Sequence, residues 1–253
     1  MVSVWLVLMA CGLQPSGQQS GVDYDLNPDI DRTGSGSGDS FVYPPDFSKT
    51  VFLYTGHGGE KLSGSPNLES LWTSEGWNVD TDYAWPSSFE GIRLFMMLKV
   101  GNRASVDFDE DQVADLSNAL ADGIRVVIAQ SASSTGCQAP ALLSLLDGGL
   151  SAPIFTSWQT GGSTEAANFE GLLPDSQPMS GVTTLSLTNP CRLSETDGAL
   201  VRNTDDEPVI AQFRPGIAGD LILVGDVGMF EGEALNAEDN RTFAGNLAAV
   251  VPD

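Results

Sequence analysis

Four kinds of side chain in this sequence could do chemistry, and they are thinly spread. The single histidine, His57, stands in Val51-Phe-Leu-Tyr-Thr-Gly-His-Gly-Gly59. An imidazole directly after an apolar block can orient or activate a nucleophile. Candidate nucleophiles are Cys137 and three serines, Ser131, Ser133 and Ser134, which follow the apolar run 124–129. A serine on a strand-to-helix elbow is flanked as Gly-x-Ser-x-Gly, and here no glycine comes before Gly136. Asp226 and the pair Asp239-Asn240 could form an acid–base or metal site, with Glu231, Glu233 and Glu238 adding negative charge. Their positions favour structure instead. Asp226 closes a strand, and Asp239 and Asn240 stand near the start of the final helix, where side-chain oxygens satisfy free amides and suit the helix dipole. No spacing matches a metal-ligand set, and no cofactor is expected.

The three cysteines are Cys11, Cys137 and Cys191. Cys11 ends the run Leu8-Met-Ala-Cys-Gly12, which resembles the lipobox of bacterial lipoproteins. The resemblance implies cleavage before Cys11, a diacylglycerol on its sulfur, and a mature protein outside the cytoplasm. Acyl chains supply about 0.8 kcal/mol of membrane affinity per buried methylene, so several chains anchor firmly. The apolar run itself is too short to span a bilayer as a helix. Gly12-Leu13 lacks the Asp that enteric inner-membrane lipoproteins often keep there, which resembles an outer-membrane destination. With Cys11 acylated, an even pair remains. In an oxidising compartment that suggests a Cys137–Cys191 disulfide, the alternative being two separate buried thiols.

Composition narrows the partners. Across 253 residues, 34 acids against 11 bases give a formal charge of −23. A chain so acidic repels nucleic acid and anionic headgroups, which excludes both as partners. Hydrophobic residues make up 41%, enough for a sizeable core.

The elements that must position these residues begin near Thr50. Residues 1–11 are the signal segment. Residues 12–48, with Gly/Ser-rich stretches around Asp23-Tyr-Asp-Leu-Asn-Pro-Asp-Ile-Asp31, read as a disordered tether without the glycine and glutamate of a calcium loop. Residues 49–253 read as one folded domain. The apolar runs 51–55, 92–100 and 124–129 predict buried parallel strands, with a shorter one at 77–80. Leu68, Leu71 and Trp72 lie at helical spacing and Gly76 stands as a stop. Asp109 with Gln112 predicts a capped helix that ends before Gly123. Leu142, Leu143, Leu145 and Leu146 predict another helix, and 153–158 a further strand. The Gly-, Ser- and Pro-rich stretch 159–181 reads as an irregular insertion. Strands are expected at 182–187, 208–213 and 220–224, and a final helix at 236–250. Alternation of this kind implies an α/β fold with an open, mostly parallel sheet and helices on both faces. The late strands suggest an antiparallel addition at one edge.

The order of "LESLWTSEGWNVD", "FEGIRLFMMLKVG" and "FDEDQVADLSNALADGIRVVIAQSAS" resembles class I glutamine amidotransferase-like domains over residues 50–252. The closing "AGDLILVGDVGMFEGEALNAEDNRTFAGNLA" resembles the group's non-catalytic branch, which includes domains of gliding-motility, ABC-transporter-associated and intraflagellar-transport proteins. A working amidotransferase needs a cysteine at the elbow after Val100 and a histidine later in the chain. This sequence reads Gly101-Asn-Arg103 at that turn, and His57 precedes Cys137 and Cys191. The apolar block before His57-Gly58 also resembles caspase-like and legumain-like peptidases. Their cysteine follows a later strand immediately, whereas Cys137 comes several residues after Ala129.

Open α/β sheets bind ligands at the carboxyl ends of their strands. The expected crevice is lined by Thr55, His57, Gly58, Asn102, Gln130, Ser131 and Asp226. The expected protein is thus a lipid-anchored envelope component whose quiet domain binds a partner protein or small ligand. The alternative is an extracytoplasmic hydrolase using His57 with Cys137 or Ser131.

Overall fold

Strand residues of opposite facing explain how one sheet carries two cores. Successive side chains of a strand point to opposite faces. Val51, Leu53, Leu94, Met96, Leu98, Val127, Ile222 and Val224 enter one apolar cluster. Their neighbours Phe52, Tyr54, Phe95, Met97, Val126, Ile128, Leu221 and Leu223 enter the other. The molecule is described by a computed structural model over residues 50–100, 108–131, 137, 155–158, 165–168, 177–188, 190–193, 198–213 and 219–249. The expected signal segment and tether, Asn102, Ser133, Ser134 and the helix expected around Leu142–Leu146 lie outside the described residues.

The strands are β1 (Thr50–Tyr54), β2 (Asn78–Asp82), β3 (Ile92–Leu98), β4 (Arg125–Ala129), β5 (Phe155–Trp158), β6 (Glu165–Asn168), β7 (Thr184–Leu187), β8 (Cys191–Leu193), β9 (Ala199–Arg202), β10 (Pro208–Phe213) and β11 (Leu221–Val224). Nine of them form a sheet in the order β2-β1-β3-β4-β11-β10-β9-β6-β7. The β2-β1-β3-β4-β11 half is parallel. From β10 outward the pairing is antiparallel. The fold is therefore the expected α/β one, mostly parallel with an antiparallel edge. Two details differ from expectation. The late strand β11 joins the parallel half beside β4, its four residues fully buried like those of its neighbours. The stretch 159–181 is not wholly irregular, since it contains β6, and β8 and β9 also escaped notice. Strands of three or four residues carry too little pattern to be read without their partners. β5 lies outside the main sheet, paired antiparallel with β8.

Among the described residues, three helices cover the sheet. Helix α1 (Leu68–Ser74) follows an Asn67 cap, whose side chain accepts from the Ser70 amide at 3.0 Å, and Gly76 beyond it has φ +86°. Helix α2 (Glu110–Ala121) carries the expected reciprocal cap. The Gln112 amide donates to Asp109 Oδ1 at 2.8 Å, and the Asp109 amide to Gln112 Oε1 at 3.1 Å. Gly123 at φ +88° lets the chain turn where it stops. Helix α3 (Asn240–Ala248) packs with α1 on one face, through Trp72, Phe243 and Leu247. Helix α2 lies on the other face, through Leu116 and Leu120. Each such fully buried side chain contributes about 1.5–3 kcal/mol. Among the described residues no helix is long and apolar enough to cross a membrane.

Candidate functional site

The carboxyl end of β1 runs into a glycine-rich loop that is tied down at its two ends. The amide and hydroxyl of Thr55 donate to the Asp82 carbonyl of β2 at 2.9 and 3.2 Å. At Gly56 a Cβ would stand 2.2 Å from the Tyr54 hydroxyl and 2.4 Å from the Tyr83 carbonyl, so only glycine fits. The loop then crosses the end of β3. A Cβ on Gly59 would meet the Leu98 carbonyl at 2.6 Å, the Glu60 amide donates to that carbonyl at 3.3 Å, and Lys99 Nζ pairs with Glu60 at 3.1 Å. Between β1 and β3 a sheet of this strand order has its switch point, where ligands enter. Here the chain's own loop lies across it.

His57 is the fastening of that loop. It adopts φ +50°, a left-handed conformation uncommon outside glycine. Its ring stacks on Phe108, just before α2, with centroids 4.0 Å apart and planes 18° from parallel. Its Nδ1 is hydrogen-bonded to the Tyr54 hydroxyl, and the Gln112 side chain bonds to it from α2. Burial holds the imidazole below the ordinary histidine value of 6.5, against the pull of the Asp109 carboxylate and the Gln112 bond. Burial also pushes the Tyr54 phenol up to about 12, so its hydroxyl keeps its proton. Trp85 packs edge-on against Tyr54 and Phe108 at 5.2 and 5.8 Å. Tyr54, Trp85 and Phe108 were not singled out from sequence. The spacing of Tyr54 and His57, three residues apart at a strand end, is the one local hint.

The other expected crevice residues come from β4 and β11. Gln130 is fully buried, with its amide nitrogen donating to the Val100 carbonyl at 2.6 Å. Its backbone joins the same end, donating to Val224 and accepting from Val227. Ser131 follows, half-buried. Asp226 is buried and caps the 3₁₀ turn Val227–Phe230, taking the Gly228 amide at 2.9 Å and, on its other oxygen, the Thr188 amide. Cys137 and Cys191 are joined by a disulfide, with Cα atoms 5.6 Å apart. Neither thiol is then available as a nucleophile. Cys191 also donates its amide to the Gly225 carbonyl, where a Cβ on Gly225 would strike the Cys191 carbonyl at 2.1 Å. Thus β8 crosses the end of β11 as the glycine loop crosses β3.

Asp239 and Asn240 correct a local reading. The Asp239 side chain makes no cap bond to α3. It accepts the backbone and hydroxyl of Thr183, both at 2.8 Å, and the Thr184 amide at 3.1 Å. Those bonds hold its carboxyl below the usual aspartate range. Asn240, fully buried, accepts the Ser186 amide at 2.9 Å and donates to the carbonyls of Ser186 and Ala234, both at 2.8 Å. The pair sews the head of α3 to β7. Among the described residues no group of three His, Cys, Asp or Glu could hold a metal ion.

One cavity escaped sequence reading altogether. It measures about 750 Å³ and lies at the opposite end of the sheet, where β3 and β4 begin. Phe89, Glu90 and Arg93 line one side, and Asp115 and Asn118 of α2 with Asp122 just past its end line the other. Three of these six carry carboxylates, so the cleft is acidic, and Trp85 Nε1 bonds Asp115 at its edge, at 3.1 Å.

No family model matches the sequence, and comparison with curated proteins finds no match. Solved structures do resemble it. Cytoplasmic protein STM3548 from Salmonella typhimurium has a TM-score of 0.58 at 11% identity, covering 81% of this chain and 100% of that one. Cytoplasmic protein STM1381 from Salmonella typhimurium LT2 scores 0.54 at 14% identity, covering 81% and 99%. The mmIFT52 N-terminal domain scores 0.53 at 14% identity, covering 77% and 93%. At such identities the likeness establishes fold alone, an α/β one in keeping with the expected order of elements.

Proposed function

We propose that this chain is a lipid-anchored envelope protein whose amidotransferase-like domain binds a partner protein or small ligand at the carboxyl end of its sheet, without turning it over. One observation carries the binding reading. The described cysteine, histidine and aspartate candidates are each engaged in holding the fold: Cys137 with Cys191, His57 with Tyr54, and Asp226 and Asp239 with backbone amides. Nucleophilic catalysis requires a base within hydrogen-bond reach of the attacking atom, and the partners of the His57 ring are a phenol and an amide. The anchor rests on Leu8-Met-Ala-Cys-Gly12. Membrane attachment through Cys11 would bring the domain to whatever it binds, with residues 12–48 as spacer. An outer-membrane destination is part of the same proposal.

Two measurements test it. Intact mass spectrometry of the membrane fraction should find a chain that begins at an acylated Cys11, while Cys11→Ser should leave the membrane. A panel of peptide and ester substrates should show no hydrolysis that His57→Ala abolishes. Turnover lost in His57→Ala and retained in a variant altered far from the loop would establish the hydrolase instead.

A further inference from the structure

We propose that His57 is a pH-sensitive latch. Its neutral imidazole fastens the loop 55–60 across the end of β3 onto the head of α2, and its protonation lets that loop go, uncovering the switch point of the sheet. Only the use of the uncovered end by a ligand rests on the binding reading above. The latch stands on its own geometry.

The latch follows from donor and acceptor counting. The Tyr54 phenol is buried and keeps its proton, so its hydroxyl donates to His57 Nδ1. Nδ1 can accept only while the imidazole is neutral, because both ring nitrogens of an imidazolium are donors. Protonation therefore forces the phenol to turn and strands its hydrogen in an apolar pocket, beside Phe95 and Trp85. It also places a charge in a half-buried site at the amino end of α2, where the helix dipole is itself positive. Tyr54 on β1 and Asp109 at the head of α2 act on the ring itself, and the loop's other titratable neighbours are Asp82 at the end of β2 and Lys99 just past β3, paired with Glu60 of the loop. Asp109 attracts the imidazolium, a pull smaller than the cost of burial, and one of its oxygens accepts the Gln112 amide. Asp82 likewise holds the amides of Tyr83 and Ala84.

Few other contacts hold the loop. Among the described residues its backbone bonds past Thr55 are Gly59 to Gly56 and Glu60 to Leu98, with the exposed Lys99–Glu60 pair outside them. The left-handed backbone at His57 is tolerated because the ring stack and the Tyr54 bond fix it. The sign is set by the lowered affinity of the fastened ring for a proton. Above about pH 6.5 both fastened and released forms are neutral and the latch is at full strength. As pH falls from there toward the lowered value, the released form takes up a proton that the fastened form refuses, and fastening weakens. Histidine is the side chain whose ordinary pKa lies between pH 5 and 8, and this chain has one.

Hydrogen exchange of the full-length chain in detergent micelles, corrected for intrinsic rates, reads the latch directly between pH 7.5 and 5.0. Protection of the Gly59 and Glu60 amides should fall severalfold in the native chain across that range. In His57→Asn, which suits a left-handed backbone and carries no charge, protection should not vary with pH. In Tyr54→Phe the fall should be smaller than in the native chain, since no phenol hydrogen is stranded and the fastened ring takes up a proton more readily. The proton resonance of His57 Cε1–H, unique in the chain, should titrate below 6.5 in the native protein. Constant protection in the native chain, the same fall in His57→Asn, or titration at or above that value would each overturn the latch. Release without gain of any ligand would count against the binding reading and leave the latch standing.

Discussion

The two halves of the sheet are held by different forces. In the parallel half, β1, β3, β4 and β11 are apolar and buried almost throughout, with helices over both faces. In the antiparallel half the outer strands are short and lean on polar bonds from elsewhere. Asp239 and Asn240 pin β7, and Arg192 pairs with Glu207, whose other carboxylate oxygen takes Asn203. Helix α3 is the strut between the halves. Its head is sewn to β7, while its tail gives the Asn246 and Leu247 carbonyls to the buried Arg125 of β4 at 3.1 and 2.9 Å. Arg125 in turn pairs with Asp220 at 3.1 Å. Apolar burial is non-directional and tolerates many arrangements, whereas buried polar bonds allow one. The parallel half thus supplies bulk stability, and the antiparallel half is positioned by a few specific contacts.

Breaking the parallel half should cost most. Phe95 is fully buried and touches Phe52, Tyr54, Trp85 and Phe89 with ring centroids 5.0–5.8 Å away. Phe95→Ala should lower unfolding free energy by about 3–5 kcal/mol in denaturant titration; a loss under 1 kcal/mol would mean that the aromatic cluster is not a packed core. Next comes the disulfide, which ties β8 to Cys137 across 54 residues. Cys137→Ala should cost about 2–4 kcal/mol, and an unchanged denaturation midpoint would show that the antiparallel side needs no covalent tie. The smallest effect expected is at Asn240. Asn240→Ala strands the buried Ser186 amide and two carbonyls, at about 1–3 kcal/mol. Hydrogen exchange should rise in β7 while β1 and β3 stay protected; equal loss in both halves would dissolve the distinction drawn between them.

How much of this was legible depends on whether the deciding partner was near in sequence. The Asp109/Gln112 cap and the glycine stops at Gly76 and Gly123 were legible because a helix end is a local event. Long apolar runs such as Ile92–Leu98 were legible because burial on both faces removes all polar alternation. Asp239 and Asn240 were misread for the converse reason. Helix-start chemistry fitted them, and only the arrival of β7 decided which amides they would serve. His57 was visible as a residue and invisible as a contact, since Tyr54 is its neighbour but Phe108 and Gln112 come from another element. The acidic cleft drew no notice because β3's approach and one face of α2 meet only in space.

The sequence by itself determined the charge, the candidate anchor cysteine, the alternating strands and helices, and hence the α/β class, since each follows from composition or from periods of two and 3.6 residues. Only the tertiary structure decided what the reactive residues do. Hydrogen bonds, ring stacks and disulfides need atoms within a few ångströms, and the topology brings β1 to α2, β7 to α3 and β8 to the end of β11 over separations that no local pattern records.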